Sequence, residues 1–323
     1  MNPKRSGKKL LRWIRLLISS LILLFLIRRY YPEIGTFSYV QVNYRYLFFV
    51  FLNSIVLIPL LAARRWQIIL QSSERKTALS NLLTINYKSI FWGMFLPSGD
   101  GFAPIRIYYL EKDMTDRPGL AGSSVILEKV MGIIILSIVS ISGILISDKS
   151  RKDLVLIPLL LLLVCTVLIL LPAYLQKSTS KKDITQPRKL CRIFSYLKSL
   201  AEETGKIASF RIIFRTAPLI LTIQLLGILN IDFLFRFWGE QLSFLDHLAI
   251  LPLIQIISLL PITLGGLGLR ETAFASLYES AGLNPVIAVT VSLLNFLILT
   301  GNQALIGGII SISSQLKTPE KAV

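Results

Sequence analysis

LPSGDGFAPIR, from Leu96 to Arg106, and LPITLGGLGLR, from Leu260 to Arg270, decide how this chain folds. In each, an apolar half of 13 to 15 residues (Leu82–Leu96, Leu248–Leu260) runs into Leu-Pro, a glycine-rich loop and an arginine. Proline to arginine is nine residues in both, Pro97 to Arg106 and Pro261 to Arg270. The register persists further on. Pro118 has Ala121 three residues ahead and Leu127 nine ahead, and Pro285 has Ala288 and Leu294 at the same offsets. The earlier prolines are 164 residues apart and the later ones 167, so a three-residue insertion separates two otherwise matched halves. Proline removes an amide donor and glycine removes a side chain. Each segment therefore reads as a broken helix, with neither side long enough to cross a bilayer, which takes about 20 residues.

Outward from these segments, continuous apolar runs recur at Leu10–Ile27, Tyr46–Ala63, Leu120–Ile146, Leu154–Leu175, Ala217–Phe235 and Val286–Ile312. The 323 residues are 53% hydrophobic, and their mean hydropathy is +0.65. That exceeds the apolar share of a soluble domain, about 45–50%. The expected fold is an all-α integral membrane protein, one domain over 1–323, with about six transmembrane helices and two re-entrant broken helices. The first repeat covers 46–146 with its re-entrant part at 82–113, and the second covers 217–312 with its re-entrant part at 248–281. The spans at 120–146, 154–175 and 217–235 separate the broken segments. Three crossings are an odd number, so the repeats are expected to be inverted and both loops to lie near the midplane, facing each other. The first run resembles a signal peptide, but Arg28, Arg29, Tyr30 and Tyr31 follow it where small residues would mark cleavage, so it reads as a retained anchor.

The net charge of +17 is distributed by side. Lys4, Arg5, Lys8, Lys9, Arg12, Arg15, Arg64, Arg65, Arg75, Lys76, ten residues between Gln176 and Arg215, Lys317 and Lys321 make 22 on one face, against 7 on the other. The positive-inside rule then places both termini in the cytoplasm, in a cell or inner membrane, and accounts for the charge without nucleic acid. The stretch 176–215 has spaced apolar residues (Leu190, Ile193, Phe194, Leu197, Leu200) that fit a basic amphipathic helix on the inner surface. Trp13, Tyr30, Tyr31, Trp66 and Trp238 suit interfacial belts.

With Cys165 in a span, Cys191 in the basic loop and His247 as the only histidine, neither a disulfide framework nor a zinc site is expected. His247 is expected in a short external loop beside Asp246, which argues against histidine-based catalysis. No cofactor is implied. The glycines of the two loops (Gly99 and Gly101; Gly265, Gly266 and Gly268) would open half-helices whose free N–H groups favour an anion. Arg106 and Arg270 fall in or near the first turn of those half-helices, where a phosphate would match a forked guanidinium. The competing reading is that these arginines pair internally with Glu128, Glu271, Glu111 or Glu279. Asp100 reads as a turn residue between glycines, with a proton or cation site as its alternative.

LPITLGGLGLRETAFASLYESAGLNPVIAVTVSLL, Leu260 to Leu294, resembles the C-terminal signature of the lysylphosphatidylglycerol synthase transmembrane-region family. Leu260, Pro261, Thr263, Gly265, Gly266, Gly268, Arg270, Glu271 and Ala288 carry it. Leu96, Pro97, Gly99, Gly101, Arg106 and Tyr108 resemble the N-terminal signature, although Asp100 lies earlier than that family's acidic residue, with Ala103, Pro104 and Ile105 between. The resemblance covers nearly the whole chain. It implies a flippase-like unit that stands alone, without the soluble synthase domain, and that handles phospholipids or polyprenyl-phosphate-linked sugars.

The leading expectation is therefore a carrier of an anionic lipid, with the headgroup phosphate between Arg106, Arg270 and the half-helix N-termini. The alternative is a membrane-embedded accessory subunit or enzyme acting on lipids or lipid-linked sugars. Asp100, Glu111, Glu128, Glu271 and Glu279 are the only acids available for that chemistry, so no enzyme activity is expected. Anionic lipids are the expected partners, and a second copy of the chain or a lipid-modifying enzyme is a candidate protein partner.

Overall fold

The computed structural model describes residues 43–73, 77–96, 102–113, 119–147, 152–178, 209–259, 263 and 266–316, and singly residues 21, 24, 28, 200, 203, 204 and 207. Helix α1 runs Tyr44–Gln71, α2 Leu79–Gly93, α3 Phe102–Asp113 and α4 Leu120–Ile146. A short 3-10 turn, Lys152–Val155, leads into α5, Leu156–Ser178. Then come α6 Phe210–Phe237, α7 Phe244–Ser258 and α8 Leu269–Ser280. Last is α9, made of Pro285–Phe296, a π turn Leu297–Gly301, and Asn302–Leu316. The described residues hold only helices, turns and loops.

Among the described residues four stretches are long and apolar enough to cross a membrane: α1, α4, α6 and Pro285–Ser314 of α9. The span expected at Leu154–Leu175 falls on α5. Apart from Leu21 and Leu24, which are helical and exposed, the expected anchor at Leu10–Ile27 lies outside the described residues, as do the amphipathic residues Leu190 to Leu197. Leu156, Leu160 and Leu163 leave most of their surface exposed along α5. An apolar face of that kind belongs against lipid chains. The protein is an all-helical membrane protein.

The chain breaks where expected. Phe95 N–H bonds to the Trp92 carbonyl and Leu96 N–H to that of Gly93, which tightens the end of α2 before Pro97. A residue that precedes proline is pushed out of helical geometry. In the second run Ser243 caps α7, accepting from the Asp246 N–H, and Asn284 caps α9 ahead of Pro285. Element lengths in α1–α4 follow those in α6–α9: α1 and α6 have 28 residues each, α2 and α7 15 each, and α3 and α8 12 each, while α4 has 27 and the α9 span 30.

Packing exchanges these runs. Helix α7 lies along α4, and α2 lies along the second part of α9. Glycines make both contacts close. A Cβ on Gly143 of α4 would meet the backbone of Leu248 and Ala249 at 2.5 Å, and one on Gly307 of α9 would meet the Tyr87 carbonyl oxygen at 2.0 Å. Between them α1 packs on α6. There α1 carries its own π turn, Asn53–Leu57, in contact with the π turn of α9. Asn53 Nδ2 donates to Asn230 Oδ1 at 3.0 Å, Asn230 Nδ2 donates to Ser54 Oγ at 3.2 Å, and Gln303 Nε2 donates to the Ser54 carbonyl at 3.3 Å. All four side chains are buried. Polar groups away from water must find each other in this way.

Two sequence expectations are corrected. Trp66 is fully buried and belongs to no interfacial belt, because α1 continues through Arg64 and Arg65 to Gln71. His247 lies in the first turn of α7 and not in an external loop, since the Ser243 cap starts the helix before it. Its side chain has no exposed surface, with Nδ1 3.0 Å from the Tyr278 hydroxyl and Nε2 3.5 Å from Asp232 Oδ1.

Candidate functional site

Small residues at the start of α4, Ala121 to Ser124, are buried and let α1 approach, and Trp66 Nε1 donates to Ser124 Oγ at 3.1 Å. One turn further along α4 stands Glu128, on the same face. Arg106 of α3 binds it with both ends of its fork, Nη1 to Oε1 at 3.1 Å and Nη2 to Oε2 at 2.7 Å. Arg65 of α1 pairs with the same carboxylate. The Trp66 ring lies 4.0 Å from the Arg106 guanidinium carbon, a cation–π contact. Two guanidinium groups thus share one carboxylate, which leaves an excess of positive charge. The Nε atoms of Arg65 and Arg106 are buried without a hydrogen-bond partner among the described residues.

The second arginine sits in a related frame. Ser292 is 22 residues after Arg270, as Glu128 is 22 after Arg106, and Arg270 Nε donates to Ser292 Oγ at 3.1 Å. Here the carboxylate comes from the next residue. Arg270 Nε donates to Glu271 Oε1 at 3.0 Å, and Ser292 Oγ donates to the same oxygen at 3.3 Å. Glu271 is fully buried, and its Oε2 accepts the Gly268 N–H at 2.6 Å. Gly268 holds φ at +88°, a conformation costly for any residue with a Cβ. The ring of Phe296, one turn past Ser292, lies 4.7 Å from the Arg270 guanidinium carbon.

The structure thus joins Arg106 to Glu128 and Arg270 to Glu271, and among the described residues the two arginines have no hydrogen-bond or ring partner in common. Gly266, with φ +79°, enters the turn before α8. Gly99, Asp100, Gly101 and Gly265 lie outside the described residues. Glu111 is half-buried and Glu279 exposed. The sequence alone does not place Arg65, Trp66, Ser292 or Phe296 at a site. The offset of 22 carried forward from Arg106 would have found Ser292. Among the described residues no cluster of His, Cys, Asp and Glu could hold a metal.

Beside the tip of the first broken segment opens an apolar cavity of about 800 Å³. Leu47 and Phe51 of α1, Phe91 and Phe95 at the end of α2, and Leu297 and Leu305 of α9 line it. It reaches the end of the π turn of α9 at Gly301 and the residue after it, Asn302. This shape and lining suit an acyl or prenyl chain.

No curated protein and no solved structure gives a significant match to this chain. A family model described as the lysylphosphatidylglycerol synthase TM region matches residues 12–307, which takes in both broken segments, both arginine clusters and the apolar cavity. That match covers most of the chain, and the protein belongs to this family of membrane proteins linked to lipid handling.

Proposed function

We propose that this protein carries an anionic lipid between leaflets, with α1–α4 and α6–α9 as inverted repeats whose broken helices are re-entrant. The observation that carries the reading is the reciprocal cradle, in which each run's first broken helix is held by the long fourth helix of the other, at Gly143 and Gly307. Two units interlocked in this way can rock about the α1–α6 contact and open to either side. The apolar cavity beside Phe95 takes the lipid chain. The phosphate is drawn by the surplus charge of Arg65 and Arg106 against the single carboxylate of Glu128, and by Arg270 as its pairing with Glu271 loosens. Both termini lie in the cytoplasm of a cell whose inner membrane holds the protein.

Glu128 and Glu271 are engaged by arginines. That favours a carrier over an enzyme, because general acid–base catalysis needs a carboxyl free to exchange its proton with substrate.

The test is reconstitution into liposomes carrying headgroup-labelled phosphatidylglycerol, phosphatidylethanolamine or a polyprenyl phosphate, followed by quenching from outside with a reductant that does not cross membranes. One anionic lipid class is expected to lose its protected fraction faster than in empty vesicles, and Arg270→Lys to slow it. A panel in which no lipid moves faster than in empty vesicles overturns the proposal.

A further inference from the structure

We infer that the cleft between the C-terminal end of α1 and the N-terminal end of α6 binds a phosphate group, as a second site separate from the two arginine–glutamate clusters. This cleft encloses about 550 Å³. Arg64, Gln71 and Ser72 line it from α1, and Ser209, Arg211 and Arg215 from the start of α6. Among the described residues no carboxylate lines it.

The start of α6 is electrostatically frustrated as it stands. A helix N-terminus carries about half a positive charge, which acidic residues in the first turn normally offset. Helix α6 has no acid in its first turn. It has instead Arg211 and Arg215, one turn apart on the same face, where like charges repel. Neither has an ion-pair partner among the described residues. Serine is among the best N-cap residues, yet the Ser209 side chain makes no capping bond, and although the Ile212 and Ile213 N–H groups bond to the Ser209 carbonyl, its hydroxyl and the N–H groups of Phe210 and Arg211 are left for another acceptor.

Arg64 adds a third guanidinium from the opposite wall. Its Nη1 is engaged by Gln67 of its own helix, so the carbonyl oxygen of that amide supports it without cancelling its charge. Arg64, Ile68, Gln71 and Ser72 fall on one face of α1, turned towards the cleft. The positive-inside rule accounts for cations anywhere in the loops of one face. It gives no reason for three of them to converge on a cavity over an uncapped helix end. A phosphate monoester or diester answers every element at once: forked donors, a free hydroxyl and free amides around one multiply charged acceptor.

The same chemistry is offered by a lipid headgroup and by free phosphate. The test uses the full chain in nanodiscs of neutral phosphatidylcholine. In one arm inorganic phosphate and pyrophosphate are titrated calorimetrically. In the other, nanodiscs doped with phosphatidic acid are released in a mass spectrometer and the retained lipid counted. Each arm compares wild type with Arg211→Gln/Arg215→Gln, with Arg64→Gln on the other wall, and with the control Lys112→Gln/Lys152→Gln, which removes two exposed charges elsewhere. The cleft double variant is expected to bind about tenfold more weakly or worse, and the control within about twofold of wild type. Binding in the first arm identifies a free anion, and binding in the second alone a headgroup. Equal weakening in cleft and control variants, or no binding of either probe by wild type, overturns the inference. Arg270→Lys should leave this binding intact, so failure here and failure of the transport reading are separable.

Discussion

Gly143 of α4 and Gly307 of α9 stand 164 residues apart, the spacing of the two loop prolines, and each lets the backbone of the other run's broken helix come within a Cβ's reach. The residue that matters at both contacts is the absent side chain. Two contacts built on the same register join α1–α4 to α6–α9.

Valine at either glycine should therefore loosen the whole assembly. Overpacking of a tight core costs about 1–3 kcal/mol. Gly143→Val and Gly307→Val are each expected to lower the thermal midpoint in detergent and to broaden the size-exclusion peak. Gly132→Ala and Gly227→Ala, where a Cβ meets nothing within 4 Å, should not. Indistinguishable melting of all four would mean that the helix contacts are looser than the structure shows.

Glu128→Gln removes the carboxylate charge that Arg65 and Arg106 share. Breaking one side of a buried ion pair costs about 3–5 kcal/mol. The variant should fold in much lower yield. Adding Arg65→Met, which removes one of the two stranded cations, should recover part of the loss, and a double variant no better than the single one would count against the shared carboxylate.

At the second cluster the roles are divided, and so should be the effects. Ser292→Ala deletes one neutral donor and acceptor and should cost about 1 kcal/mol. Arg270→Ala leaves the fully buried Glu271 with only the Gly268 N–H and Ser292, and should cost several times more. Thermal melts of the two variants side by side check the order.

Leu305 projects largely exposed beside the apolar cavity, so a larger ring can fill it without disturbing the core. Leu305→Trp is expected to slow lipid movement in liposomes severalfold while leaving the melting temperature within about 1 °C, since surface substitutions usually stay within about 0.5 kcal/mol. Full transport with the cavity filled would place the lipid chain elsewhere.

The broken segments were legible because their signals are local: a proline stops a helix, and matched glycine and arginine spacings survive in any context. The pairing of Arg106 with Glu128, and of Arg270 with Glu271, stood among the alternatives the residues offered. Trp66 was not legible. It follows Arg64 and Arg65, whose charges end the apolar run and suggest a loop, yet the helix continues because Arg65 meets Glu128 across a wall of small residues. Only tertiary contact reveals that partner. His247 is placed in a loop by the sequence for a related reason: it stands beside the charged Asp246 between two apolar runs, and its burial depends on Tyr278 and Asp232, distant in sequence. The network of Asn53, Ser54, Asn230 and Gln303 is likewise invisible as a pattern, since each is a single polar residue in a long apolar stretch.

The two π turns that touch at the centre each hold one residue more than an α-helical turn accommodates. That surplus is slack in the hydrogen-bond ladder, and slack can be handed along a helix at little cost, bond by bond. Each step it takes turns one further residue about its axis by roughly 100°, the angle of a single position in a 3.6-residue turn. Side chains such as Asn302, next to the turn and at the wall of the apolar cavity, are then indexed like the teeth of a gear, so that the wall can change its lining while both ends of α9 stay where they are.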